Sequence, residues 1–275
     1  MVIINDAKYS KIITLLSNYK GLSIECEVEI IKSFPELTAD TIRSIISKHG
    51  QNTLKTLFYK FSHRSDAIMT DSCIQRYLGR ATHDRAILEL AIDMNCPPIG
   101  LCRLILNLSF SKADVKQMLR DPDLIPDPML SANVFTCIYN EINDGVVVDM
   151  ARYSIGEEYE VKLKRMAREA RLTFYDEGDL RRDGFDKTPD LLLAVQFLYE
   201  NTIINWIESK ASFGDCETHA KYLKDQLSCY ENRFGSGIVI YWFGFQQEIL
   251  SLKQSNIIVL DGFPSTDSLT TFEKL

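Results

Sequence analysis

An all-α front joined to an α/β rear, α+β overall, is the fold class this sequence predicts. Three observations carry it. Apolar residues in the first third recur at helical spacing behind capping residues, with no convincing strand. A stretch rich in Pro and Asp, from Arg120 to Pro128, interrupts that pattern, and beyond it β-branched runs interleave with helical segments. The expected organisation is an all-helical domain with helix-turn-helix character over 1–120, a linker over 121–129, and an α/β domain with a mixed central sheet over 130–275.

In chain order, Asp6 caps a segment containing Ile12, Ile13, Leu15 and Leu16. A second helix runs from Ile24 to Ile31, and Thr38 caps a third that carries Ile42, Ile45 and Ile46 and ends at His49-Gly50. Ala86–Ala91, the turn Asn95-Cys96-Pro97-Pro98, and Ile99–Leu108 read as helix, tight turn, helix. Arg103 lies on the second of these, where a helix-turn-helix would present side chains to a DNA groove; a hairpin that only packs gives the same pattern. Behind the Pro-rich stretch, helices over about 130–143 and 146–171 precede strands at Leu191–Val195, Thr202–Ser209, Gly237–Phe243 and Ile257–Leu260.

Composition bounds the function. With 45% apolar and 25% charged residues the chain has the makings of a folded core, and no apolar run is long enough to cross a bilayer. An acid as early as Asp6 does not suit a signal peptide, so an intracellular location is expected. Seven cysteines at irregular spacing fit no disulfide framework, and the single C-x-x-H pair, Cys216 and His219, lacks the second pair that a zinc site needs. The net charge of −7 is unevenly spread: residues 1–120 carry 16 Lys+Arg against 12 Asp+Glu, and residues 121–275 carry 15 against 26. A mildly basic front can approach phosphates, whereas an acidic rear suits a cation or a basic partner.

The chemistry-bearing pattern is Lys187-Thr188-Pro189-Asp190 at the entrance of one strand, then Trp206-Ile207-Glu208-Ser209-Lys210 at the end of the next, with 17 residues between Asp190 and Glu208. Side chains alternate across a sheet, so Glu208 and Lys210 share a face, and pairing of the two strands would bring Asp190 beside Glu208. Pro189 removes a backbone donor and stiffens the approach to Asp190. Two carboxylates and an ammonium at one sheet position are what phosphodiester hydrolysis needs: hard oxygen ligands for Mg²⁺ or Mn²⁺, and a cation for the attacking water or the phosphorane. On an exposed edge strand the same charges could simply be solvated.

Two neighbouring motifs add weight. Gly156-Glu157-Glu158-Tyr159-Glu160-Val161 opens a helix that continues through Leu163, Met166 and Ala170, and Glu160 could complete a metal shell or hold a water. Acids at a helix start are also favoured by the helix dipole. In Asp225–Tyr230, Gln226 and Tyr230 are four apart and share a helical face, from which an amide and a phenol could reach a phosphate or base.

Taken in order, G-x-x-x-E, PD, ExK and QxxxY resemble the PD-(D/E)xK nuclease superfamily, the last motif being similar to that of its RecB-type members. The longer strings from Gly184 to Asp190, from Trp206 to Asp215 and from Asn232 to Gly235 resemble the eukaryotic codanin-interacting nuclease family, which carries a TPD motif. The resemblance implies a restriction-endonuclease-like core, Mg²⁺ or Mn²⁺, a nucleic-acid substrate, DNA above RNA, association with a codanin-like chromatin protein, and a location in nucleus and cytoplasm. It carries metal ligation to Asp190, Glu208 and Glu160, catalysis to these and Lys210, and substrate contact to Gln226 and Tyr230. Glu158 competes with Glu160 for its place in the helix register. A non-catalytic adaptor that keeps the fold and binds a codanin-like partner is the alternative.

Overall fold

The computed structural model describes residues 2–19, 21–62, 77, 79, 83–143, 145–252 and 256–271. By contact the chain divides into two units, Ile12–Arg152 and Met1–Lys11 with Tyr153–Leu275. An α+β composition results, with the strands gathered in the second unit.

The helical unit begins within α1 (Asp6–Asn18), which buries Ile12 and Leu16. It continues through α2 (Ser23–Ser33) and α3 (Ala39–Ser62). Thr38 caps α3 by accepting from the Thr41 amide at 3.2 Å, as its position ahead of an apolar-periodic run foretells. The helix does not end at His49-Gly50 as expected. Gly50 lies inside it, where an added Cβ would sit 2.8 Å from the Asn143 Cβ, so this glycine serves a close approach and not a stop.

The hairpin of α4 (Ala86–Asp93) and α5 (Pro98–Leu106) is where expected, with Pro98 in the first turn. It forms the middle of the helical core, in which Leu88, Leu90, Leu101, Cys102 and Leu106 are at most 1% exposed. α6 (Lys112–Met118) follows, and then α7 (Pro128–Asn140), whose buried Asn133 accepts from the Ile87 amide and donates to the His83 and Met129 carbonyls. Residues 121–129 are structured and not a free linker. Asp121 caps a 3₁₀ turn at Pro122–Leu124, Ile125 is buried in the core, and Asp127 caps α7 through the Met129 and Leu130 amides. Pro and Asp act here as helix-start residues, which places the ordered stretch through Asn140 with the helical unit.

The other unit is layered. Helix α8 (Val146–Glu169) starts within the helical unit and enters this one at Tyr153; it begins ten residues ahead of Gly156, so the acidic run lies in mid-helix. Next come β2 (Phe174–Asp176), α9 (Glu177–Arg182), β3 (Leu191–Tyr199) and β4 (Thr202–Lys210). α10 (Cys216–Tyr222), a π-helical turn at Leu223–Leu227 and α11 (Ser228–Phe234) form one continuous rod, followed by β5 (Gly237–Tyr241), β6 (Phe245–Gln246) and β7 (Ile257–Leu260).

The main sheet runs β2-β3-β4-β5-β7, antiparallel across the first three strands and parallel across the last three, the mixed sheet that the sequence predicts. β5 is buried at all five positions because both its faces are covered. Ile238 and Ile240 pack with Leu163 and Ala167 of α8, while Val239 and Tyr241 pack with Leu223, Leu227 and Tyr230. Gly237 opens β5 against the Trp206 ring, where a Cβ would fall 2.1 Å from ring carbon. The first strand, β1 (Ile3–Ile4), pairs in parallel with β6 and belongs to this unit, although the sequence places it with the front helices.

Candidate active site

The β3–β4 hairpin builds the centre. Its two-residue turn, Glu200-Asn201, has φ of 46° and 65°, the left-handed pair that a tight type I′ connection requires. At the far end of the hairpin Leu191 pairs with Ile207, so the preceding Asp190 comes opposite Glu208 despite a register irregularity between Leu192 and Phe197. The Asp190 Oδ2 accepts from the Ser209 amide at 2.6 Å, and the Asp190 amide approaches the Glu208 Oε2 at 3.4 Å.

Glu208 is 2% exposed, and its Oε1 accepts from the Lys210 Nζ at 2.6 Å and the Gln226 Nε2 at 3.0 Å. Lys210 also donates to the Gln226 Oε1 at 3.0 Å and lies 4.7 Å from the Tyr222 ring centroid. Gln226 reaches both partners from the π-helical turn, a local widening that often marks functional positions. The Thr188-Pro189-Asp190 turn is fastened to the same rod: Tyr230 donates to the Thr188 carbonyl at 2.5 Å, and the Lys187 ammonium donates to the Asp225 carbonyl at 2.8 Å.

Electrostatics sets the carboxyls against one another. Burial and then the Glu208 charge raise the Asp190 carboxyl well above the usual range, and burial raises that of Glu208 although Lys210 opposes it. On Lys210 burial works downward, but the hydrogen-bonded Glu208 carboxylate outweighs it, and the ammonium is held protonated. Glu160, half-buried in α8, is pushed up to about 6 by burial, the Asp190 charge, and Glu157 and Glu177. Its charge acts in turn on Glu208. Glu158 is exposed, so of the two alternatives the structure turns Glu160 toward the carboxylate pair.

The structure therefore brings Asp190, Glu208, Lys210, Gln226 and Glu160 into one neighbourhood. Tyr230 differs from the expectation of a substrate contact. At 1% exposure it packs edge-on to Trp206 and accepts from the Gln226 Nε2 at 2.6 Å, so its phenol holds Gln226 and the Thr188 turn in place. Arg103 belongs to α5 of the helical unit. His219, of the C-x-x-H pair, is spent on a 2.9 Å hydrogen bond to the Tyr241 hydroxyl. Among the described residues no three His, Cys, Asp or Glu side chains form a ready-made metal cage.

Sequence reasoning missed Glu177, which acts on both Asp190 and Glu160, and Lys164, which pairs with Asp176 at 3.0 Å and counteracts the shift of Glu160. The signal for α9 was present. Asp176 and Asp179 form a capping box, an acid three residues behind an N-cap acid.

Fold and site together define an α+β protein whose mixed sheet carries a buried carboxylate pair locked to a lysine. The family model described as a protein of unknown function with a TPD sequence motif matches residues 126–263, a span that contains Thr188-Pro189-Asp190. Relatives named CDAN1-interacting nuclease 1 match over most of the chain. The Xenopus laevis protein is 37% identical over 274 residues, covering 96% of this chain and 89% of its own. The Homo sapiens protein is 42% identical over 243 residues, covering 84% and 85%, and the Danio rerio protein 38% over 252, covering 88% and 83%. No solved structure matches. The chain belongs to the TPD-motif family of these CDAN1-interacting nucleases.

Proposed function

We propose that this protein is a divalent-metal-dependent nuclease of the PD-(D/E)xK type, hydrolysing phosphodiester bonds in DNA or RNA. One observation carries the reading: the hairpin register sets Asp190 opposite Glu208, with the Lys210 ammonium 2.6 Å from the Glu208 carboxylate. The donor set suits Mg²⁺ or Mn²⁺, being hard, anionic and crowded, and a dication offsets the burial and, second to it, the charge repulsion that raise both carboxyls. Asp190 and Glu208 would hold the ion, with Glu160 completing its shell or holding a water, since Mg²⁺ keeps several waters and needs few protein carboxylates. When bound, the ion polarises the phosphate and makes its water more acidic.

The chain's own residues do the rest. Lys210, fixed by Glu208 and Gln226, stays cationic and meets the negative charge that builds on the phosphoryl oxygens as water attacks and the P–O bond to the leaving sugar oxygen breaks. Gln226 orients Lys210 and Glu208 together, and Tyr230 positions Gln226.

The names of the relatives also favour a CDAN1-like protein partner for this chain. Binding of that partner is a second role compatible with the first, and presence in nucleus and cytoplasm accompanies it. The test is cleavage of single-stranded, duplex and branched DNA and of RNA with Mg²⁺ or Mn²⁺. Lys210→Ala should lower the rate about 10²-fold or more with metal affinity altered far less. Asp190→Ala should lower both, and neither variant should weaken capture of the partner. A melting curve shows that each variant is folded. Full activity in both variants overturns the assignment of this site, and no cleavage of any substrate by the unaltered protein leaves an adaptor that only binds its partner.

A further inference from the structure

The helical unit contains a cavity of about 480 Å³ whose wall gathers four cations, Arg103, Lys112, Lys116 and Arg120, with Asn107. The acid on its lining is Asp149, which pairs with Arg152 at 3.2 Å. Lys112, Lys116 and Arg120 follow one another at intervals of four residues along and just beyond α6, so they project to one side. Met118 holds the far side of α6 in the core, and Val115, also buried there, lines the cavity beside the cations, which fixes where they point. Like charges at this spacing repel, and an anion among them converts the repulsion to attraction. Among the described residues Lys112, Lys116 and Arg120 form no ion pair. The floor adds Gly145 and Val146, where the 24-residue α8 begins and its dipole is positive.

We infer that this cavity is a phosphate-binding site that seats one phosphate of a nucleic-acid strand, separate from the carboxylate site. The choice of a nucleic-acid source rests on the nuclease reading. The cation count, the concavity and the volume, within the range that takes a nucleotide-sized ligand, come from the cavity itself. In a protein of net charge −7, such a local basic cavity supplies a phosphate contact that bulk charge does not.

Binding without metal tests it separately from cleavage. Fluorescence anisotropy of the full chain in EDTA would follow labelled single-stranded oligonucleotides, with and without a 5′-phosphate, over a salt series. Lys112→Ala with Lys116→Ala should weaken binding about tenfold or more and lower the salt slope by roughly 0.7, as expected for the one lost phosphate contact on a single strand. The control, Lys32→Ala with Lys55→Ala, removes the same charge from exposed positions on α2 and α3 and should change affinity less than threefold. A preference for the 5′-phosphate would assign the strand terminus, and equal binding an internal phosphate. Equal losses in pocket and control variants, no binding by the unaltered chain, displacement by inorganic phosphate as effective as by the oligonucleotide, or tighter binding of a phosphopeptide would each overturn the inference. If the pocket variants lose binding while no substrate is ever cleaved, the site stands and the nuclease reading falls.

Discussion

At the scale of single residues the carboxylate centre is held in a state that costs stability. Asp190 and Glu208 are kept above the usual carboxylate range first by burial, so ionising them costs the folded protein free energy near neutral pH. Asp190→Asn removes one such charge and keeps an oxygen for the Ser209 amide. The metal-free variant should melt higher than the parent at pH 7.5, by about 2–4 °C for each kcal/mol relieved, while lacking the stabilisation by Mn²⁺ that is expected of the parent. Calorimetry with and without Mn²⁺ measures both, and a lower melting point would place the Asp190 charge among the stabilising interactions. Glu160 extends the argument to pH. Its folded value of about 6 lies above its ordinary 4.5, so its contribution to stability is complete below about 4.5 and is lost as pH rises through 6. Melting of the metal-free protein from pH 4.5 to 7 should therefore fall less steeply for Glu160→Gln than for the parent. The buried His219 works the other way, since burial lowers its folded value and protonation below about 6.5 favours unfolding; the two variants must be compared at matched pH.

At the scale of elements the hairpin is the part on which the site depends. Its turn holds Glu200 and Asn201 at positive φ, which Asn tolerates and Glu does not favour. Glu200→Asn with Asn201→Gly supplies the preferred turn pair and should stabilise the protein by about 0.5–1 kcal/mol with unchanged chemistry, as chemical denaturation would show. A loss of stability would mean that Glu200 makes a contact worth more than the turn strain. The rod from Cys216 to Phe234 is the second critical element. Gln226 and Tyr230 are four apart, but the π-helical turn and the burial of Tyr230 alter what that spacing means. Spacing placed the two residues together; only packing decided that the phenol faces inward.

At the scale of the whole molecule the N-terminal strand is tied to β6 of the rear unit across most of the chain length. Ile3 and Ile4 pair with Phe245 and Gln246, Ile4 is 1% exposed, and the Gln246 side chain donates to Asp6 at 2.9 Å. Ile4→Ala should destabilise by about 2–4 kcal/mol and raise amide exchange around 244–249 while leaving the helical core protected. Uniform loss of protection would mean that the two units unfold as one. For the same reason the 130–275 range expected of the α/β domain omits β1, which belongs to that unit.

What the sequence by itself determined is local. The cap at Thr38, the hairpin of α4 and α5, the β-branched strands, and the period-two placement of Glu208 and Lys210 all follow from residues close together along the chain. The placing of Asp190 beside Glu208 was also legible, because a hairpin is a short-range pairing whose register its turn fixes. The tertiary structure decided what depends on distant neighbours. Gly50 lies inside a helix with residue 143 packed against it, residues 121–129 are ordered because Ile125 finds the helical core, and β1 pairs with β6 of the rear unit. The half-burial of Glu160 near the Asp190 charge while Glu158 is exposed, the inward turn of Tyr230 and the gathering of Lys112, Lys116 and Arg120 around a cavity with Arg103 belong to the same class. Burial and charge at each of these positions are set by groups far away in sequence, and no local period encodes them.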